Sequence, residues 1–308
     1  MPAAHSGWLD EPDELVLGWW STIADMGVAR SRAQESSQPS APPIGSIVPG
    51  GMWTDIRFVA ETGSTNADVL RLARDGAPEG LVIAAEQQTA GRGRQGRGWQ
   101  TEPGAALMFS LLVRPESVAQ AAMGWLPLLA GVATAAAVRV VAGVRSQLKW
   151  PNDVLVTGGK LAGILAEQSG GAVVVGIGLN VLGRADTLPV PTATSLELHG
   201  AARTDRAVLL GEILRQFEHW YRRWTTTGPG DADASGLRPE YLRLCDTVGR
   251  MVNVALPGGR SLVGLATDVD GTGRLLVDVG GEVTAVTAGD VIHVRGSASR
   301  DAFRGAET

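Results

Sequence analysis

The chain has 308 residues, 44% hydrophobic and 19% charged, with a net charge of −5. That apolar share supports a packed core and excludes a disordered chain, and the length corresponds to about two domains. The acid excess argues against a general nucleic-acid binder. The single Cys245 excludes a disulfide framework, and four scattered histidines (His5, His199, His219, His293) argue against a histidine metal centre.

Residues 1–50 differ from the rest. SRAQESSQPSAPPIGS is rich in Ser and Pro and reads as a linker without a fold of its own. LVLGWWSTIADMGVAR before it has the length of one short helix. Six acids against two arginines make the segment a poor DNA-binding arm, and it is short for a helix-turn-helix with a core. It carries no basic, apolar, cleavable leader. No apolar run is read as reaching the roughly 20 uncharged residues that span a bilayer, so neither secretion nor a membrane is expected. The expected location is cytoplasmic.

Order begins near Asp55. DIRFVAE reads as a strand. TGSTNADVLRLARDG carries an N-cap signal at Ser64 or Thr65, apolar residues at Val69, Leu70, Leu72 and Ala73, and a stop at Gly76. LVIAAEQ and ALMFSLLVRP read as strands, the second closed by Pro115. Residues 117–142 are apolar almost all round, which predicts a buried helix bent at Pro127. QLKW, VLVT and KLAGILAE follow, the last two joined as a hairpin. AVVVGIGLN is a buried strand, and TDRAVLLGEILRQFEHWYRRW a long amphipathic helix. Beyond Thr247, short strands broken by PGG, DGTG and GG predict a small all-β unit, a barrel. The expected fold is α/β (α+β): a central mixed sheet with flanking helices, plus the barrel. The expected boundaries are an extension at 1–50, a main domain at 51–246, the barrel at 247–296 and a tail at 297–308.

TAGRGRQGRGW, residues 89–99, contains G-x-G-x-x-G and follows a strand. A dinucleotide fingerprint has to open a helix. Here the glycines run into RGWQTEPG, with Pro103 and Gly104 and no helical period. Arginines at 92, 94 and 97 interleave the glycines. The segment is a flexible cationic loop whose arginines grip carboxylates or phosphates; the competing reading is an Arg-Gly element that binds nucleic acid.

Lysine occurs twice, at Lys149 and Lys160, beside 25 arginines. Codon bias explains scarcity but not the placement of both inside KWPND (149–153) and GGKLAGIL (158–165). A lysine supplies a compact point charge where a planar fork will not serve. Lys160 is followed by Leu161 in a hairpin, so this is no helical P-loop. Asn66, Asn152 and Asn180, three of four asparagines, also fall in short motifs. GSTN (63–66) alone is no more than a helix cap, and GIGLN (176–180) alone is a strand end.

Together, GSTN, GRGRQGRGW, KWPND, GGKLAGIL and GIGLN resemble, in order, the motifs of the biotin protein ligases, over about Asp55 to Arg295. The resemblance implies the biotin/lipoate ligase fold with an SH3-like C-terminal barrel. It implies biotin and ATP as substrates, Mg²⁺ arriving with ATP, and a biotin carboxyl carrier domain as partner. By motif, Ser64 and Thr65 resemble donors to the biotin rings, Gln88 and Gly91 further biotin contacts, and Gly163 a close backbone approach. Arg92 and Arg94 would close over the carboxyl–phosphate junction, Arg97 would meet phosphate and Trp99 would flank adenine. Lys160 would bridge carboxylate and α-phosphate, while Asn152, Asp153 and Asn180 would hold the nucleotide. The metal ligands are not assigned. No match to a winged DNA-binding domain occurs in the first 50 residues, so no DNA role is expected, and the chain is expected to be a monomer or weak homodimer. The alternative is a regulator that only senses the adenylate.

Overall fold

The computed structural model describes residues 51–184, 188, 190–256, 260–287 and 289–294; the extension at 1–50 and the tail beyond 294 lie outside them. All the described residues belong to one compact unit within Pro43–Thr308.

A seven-stranded sheet carries the site. Its strands are β1 (Asp55–Thr62), β2 (Leu81–Gln88), β3 (Ala106–Val113), β4 (Gln147–Lys149), β5 (Asp153–Val156), β6 (Gly159–Ser169) and β7 (Ala172–Asn180), in the order β1-β2-β3-β7-β6-β5-β4. β1 and β2 are parallel, joined through helix α1 (Thr65–Arg74); the other neighbours are antiparallel. The expected mixed sheet is therefore present. Every residue of β3 is buried, which is why it reads as an apolar run rather than an alternating one. One face packs on α1 through Val69, Leu81, Ile83, Leu112 and Val174. The other packs on α2 (Trp125–Ala142) and α3 (Arg206–Thr226).

α3 buries Leu210, Ile213, Leu214, Phe217, Tyr221 and Trp224 at helical spacing, and Asp205 caps it by accepting from the Ala207 and Val208 N–H groups. Phe217 is fully buried, so truncation to Ala would cost about 3–5 kcal/mol. The structure corrects two expectations about the apolar segment. Pro127 does not lie inside a continuous α-helix: α2 begins at Trp125, after a 3-10 turn over Gln120–Gly124, and Pro127 falls in its first turn, where a proline is tolerated. The run Gln120–Ala142 is long and apolar enough to cross a membrane by composition, but 78% of its window is buried inside the protein. It is a core helix, apolar all round because both sides are covered.

The β5–β6 hairpin turns at Thr157 and Gly158, both at positive φ (48° and 82°), as a two-residue hairpin loop requires. Helix α4 (Leu237–Leu244) leads to a second sheet of β8 (Met251–Ala255), β9 (Ser261–Val269), β10 (Leu275–Val279), β11 (Glu282–Val286) and β12 (Asp290–His293). It is antiparallel, in the order β11-β10-β9-β8-β12. The two sheets share one apolar core. The indole N–H groups of Trp125 and Trp150 donate to the carbonyls of Gly271 and Gly273, at 2.9 and 3.0 Å. That junction fixes β12 at the rim of a cleft on the main sheet.

Candidate active site

The cleft, of about 670 Å³, opens on the α1 face of the main sheet. It is bounded by the start of α1, the 91–99 loop, the β5–β6 hairpin, the end of β7, and β12. Every residue singled out from the sequence lines it except Gly91, which lies at the base of the loop. A Cβ at Gly91 would fall 2.4 Å from the Trp99 carbonyl oxygen, so the loop can close there only on glycine.

The floor is polar and buried. Ser64 caps α1, its Oγ accepting from the Ala67 N–H at 3.5 Å. Thr65 N–H donates to Gln88 Oε1 at 2.8 Å, and Thr65 Oγ1 lies 2.7 Å from Ser110 Oγ. Ser110 Oγ donates to Asn66 Oδ1 at 2.6 Å. Asn66 Nδ2 donates to Glu167 Oε2 and to the Leu165 carbonyl. Asn66 reaches this depth because residue 176 is glycine, where a Cβ would meet its Oδ1 at 2.1 Å. Sequence reasoning assigned Ser110 no role, and it noted Asn66 only for the scarcity of asparagine and its place in GSTN, without a role of its own. The signal for Ser110 was present: it is the one polar residue in ALMFSLLV.

The loop folds on itself. Arg92 and Gly98 form a bridge, Gly93 N–H donates to Arg97 O at 2.7 Å, and Trp99 N–H donates to Gly91 O at 2.9 Å. Only a short turn at Arg94–Gly96 follows the glycines, so no helix opens there and the dinucleotide fingerprint is excluded by geometry. Arg94 Nη1 donates to Asn152 Oδ1 at 3.2 Å. Burial pushes the Arg94 guanidinium below its usual value, and Asp290 and Asp153 partly restore it. Arg97 pairs with Asp290 of β12 at 2.7 Å. Asp290 gave no signal in the sequence, because only tertiary packing brings β12 to the loop.

Lys160 Nζ lies 2.7 Å from Asp153 Oδ1, the two facing each other across the hairpin. The Trp99 indole rests on the sheet where Gly163 and Gly178 stand opposite each other. A Cβ at these positions would lie 3.0 Å and 2.5 Å from the ring. Its buried Nε1 has no partner. The motif places Trp99 against adenine and gives Gly163 to biotin; in this structure the group closest to Gly163 is Trp99 itself. Asn152 Nδ2 donates to Ile164 O at 2.9 Å, and Asn180 Nδ2 to Thr194 O at 3.0 Å. Both amides first serve to fasten the hairpin and the segment beside it.

A cleft that presents a lysine and three arginines beside a neutral polar floor suits a small molecule that is apolar and polar at one end and anionic at the other. This is the architecture of an acid-activating ligase. Residues 59–183 match the biotin/lipoate A/B protein ligase family, and residues 247–294 match the biotin protein ligase C-terminal domain. The biotin–[acetyl-CoA-carboxylase] ligase of Mycobacterium tuberculosis is 45% identical over 250 residues, covering 80% of this chain and 91% of that protein. The ligase of the same name from Paracoccus denitrificans is 34% identical, covering 71% and 92%. The structure of the Aquifex aeolicus biotin protein ligase in complex with biotin and ATP superposes with a TM-score of 0.67 at 25% identity, covering 78% of this chain and 99% of that one. The chain belongs to the biotin protein ligase family.

Proposed function

We infer that this protein is an ATP-dependent biotin protein ligase. It activates biotin as biotinoyl-5′-AMP and transfers the biotinoyl group to a lysine of a biotin carboxyl carrier domain. The observation that carries the reading is one cleft with a neutral hydrogen-bonding floor at one end and Lys160, Arg92, Arg94 and Arg97 at the other.

In the first step a biotin carboxylate oxygen attacks the α-phosphorus of ATP, and pyrophosphate leaves. Two anions have to meet, and Lys160 stands where a point charge would offset their repulsion. Asp153 holds the ammonium in place until then. Arg92 and Arg94 close over the new anhydride and Arg97 meets phosphate. Trp99 lifts off the glycines to flank the adenine, while Asn152, Asp153 and Asn180 border the nucleotide. In the second step the carrier ε-amine attacks the acyl carbonyl, AMP leaves, and the amine proton passes to solvent. Both nucleophiles are substrates, so catalysis rests on positioning and charge.

Mg²⁺ would enter with ATP. Among the described residues no three His, Cys, Asp or Glu side chains cluster as a metal cage would, and Asp153 and Asp290 are each paired with a cation. The residues present therefore fit an ion held mainly by the phosphates. The reading carries with it a cytoplasmic location, a monomer or weak homodimer, and no role on DNA.

The test is to incubate purified protein with biotin, MgATP and a carrier domain, following pyrophosphate release and avidin-detected transfer. Both are expected. Adenylate retention without transfer, together with DNA retention at moderate salt, would favour a sensor instead.

A further inference from the structure

The floor of the cleft has a direction that hydrogen counting reveals. Asn66 Nδ2 faces two oxygens that can only accept, Glu167 Oε2 at 2.8 Å and the Leu165 carbonyl at 3.3 Å. The amide is therefore fixed, and Oδ1 is the end that faces Ser110. Ser110 Oγ lies 2.6 Å from that Oδ1 and 2.7 Å from Thr65 Oγ1. Oxygens this close need a hydrogen between them. Asn66 Oδ1 has none to give, so the Ser110 proton goes to Asn66, and the Thr65 proton goes to Ser110. Gln88 Oε1 already accepts from Thr65 N–H, and its contact with Thr65 Oγ1 is longer, at 3.2 Å. Ser110 is fully buried and Thr65 and Asn66 nearly so, so no bulk water resets these protons.

We infer that Ser110, oriented by Asn66 and Glu167, is a positioning residue that makes Thr65 a hydrogen-bond acceptor toward the cleft and thereby selects a ligand that presents an N–H there. This reverses the role the motif gives Thr65, a donor. Its neighbour Ser64 stays a donor: Ser64 Oγ accepts from the Ala67 N–H, and its own proton remains for the cleft. An acceptor beside a donor is complementary to a cyclic urea edge, N–H next to C=O. Replacing that N–H by oxygen would set lone pairs against lone pairs at Thr65.

The inference rests on the ligase reading, and the experiment separates the two. Biotin is compared with its two cyclic-carbamate isosteres, each with one ureido N–H replaced by ring oxygen, in MgATP-dependent pyrophosphate release. Wild-type protein is expected to reject one isostere by about 100-fold or more in kcat/KM, since a site built to accept an N–H is left unpaired by its absence. Ser110→Ala frees the Thr65 proton to turn toward the ring oxygen. Its KM for biotin is expected to rise about 10- to 100-fold with kcat less affected, and its discrimination to fall at least about tenfold. Ser110→Cys, which keeps the volume with a weaker hydrogen-bonding group, is expected to fall between the two. A merely structural role for Ser110 lowers all three substrates together and leaves the ratio alone. Equal discrimination in wild type and variants overturns the proposal, and so does a wild-type protein that uses both isosteres as well as biotin, whatever the variants do. A wild-type protein that releases no pyrophosphate with biotin overturns the ligase reading instead.

Discussion

The two walls of the cleft are built on opposite terms. The floor, Thr65–Ser110–Asn66, is buried, neutral and internally hydrogen-bonded, and it is tied through the Asn66 amide to the half-buried Glu167. The loop, 91–99, is mostly exposed and cationic; its arginines reach the rest of the protein through Arg94 to Asn152 and Arg97 to Asp290, and its last residue, Trp99, rests on the sheet. A buried hydrogen bond left unmade costs about 1–3 kcal/mol, whereas an exposed ion pair contributes about 0.2–1 kcal/mol. The floor is thus fixed before any ligand arrives, while the loop's partners are easily exchanged for phosphate. Shape is recognised by the rigid wall, and charge is answered by the replaceable one.

The sharpest way to break that comparison is at Lys160, which stands between the walls. Lys160→Ala is expected to lower adenylation about 30- to 5,000-fold, the range for removing one partner of a desolvated charge pair at about 2–5 kcal/mol. Lys160→Arg is expected to fail as well. A guanidinium spreads its charge over a planar fork and does not reproduce the compact point charge of the ammonium beside Asp153. Pyrophosphate release measures both, and full activity in Lys160→Arg would remove Lys160 from the role.

The loop is tested next. The sequence predicts that four glycines and three arginines in eight residues are mobile when empty and order on an anion. In this reading the loop shields the mixed anhydride from water until the carrier arrives. Arg94→Gly is expected to form adenylate but release it about 10- to 150-fold faster, from the loss of a charge-assisted hydrogen bond of about 1.5–3 kcal/mol. Stopped-flow dissociation and biotin labelling of bystander albumin are the measurements. If the variant retains adenylate as tightly as the parent, the latch is Arg92 or Arg97.

How far the sequence discloses this differs between the walls for a physical reason. Arg94, Lys160 and Asn152 sit in short motifs, because local turns and hairpin register place them. The sheet, the helices and the C-terminal all-β unit are legible from periodicity and turn residues. Ser110, Gly176 and Glu167 come together only through the β3–β7–β6 pairing, which puts Ser110 opposite Gly176 and Gly176 opposite Leu165. No local pattern encodes such a cross-strand set. The Arg97–Asp290 pair spans still more chain and depends on how the second sheet docks.

That pair gives a smaller effect. Arg97 is 62% exposed, so Asp290→Asn is expected to cost no more than about 1 kcal/mol. Ligand-free protein should then be cut by trypsin at the loop arginines less than about fivefold faster, with its affinity for biotin alone unchanged. A larger acceleration would mean that Asp290 holds more than Arg97.

The smallest effect concerns the strand that carries Asp290. His293 ends β12, with its Nδ1 3.7 Å from Asp246 and its Nε2 3.3 Å from the Thr247 hydroxyl, and Lys149 and Arg250 nearby. Burial lowers its affinity for a proton, the two cations lower it further, and Asp246 opposes them without prevailing. On acidification the unfolded chain takes up this proton before the folded one does. The folded state is therefore fully stable above the ordinary histidine range, near pH 6.5, and loses stability as pH falls through it. His219, between Arg215 and Arg223 on α3, is lowered for the same reasons and adds to the same loss. The melting temperature is expected to fall between pH 7 and 5.5, and to fall less steeply in His293→Asn and in His219→Asn. Because His293 shares β12 with the loop's anchor Asp290 and His219 does not, acid should also loosen the loop in wild type more than in His293→Asn, read as faster amide exchange at residues 91–99. The buried floor should exchange alike in both. Equal loop exchange in the two proteins at pH 5.5 would uncouple β12 from the loop and leave Asn152 as its effective anchor.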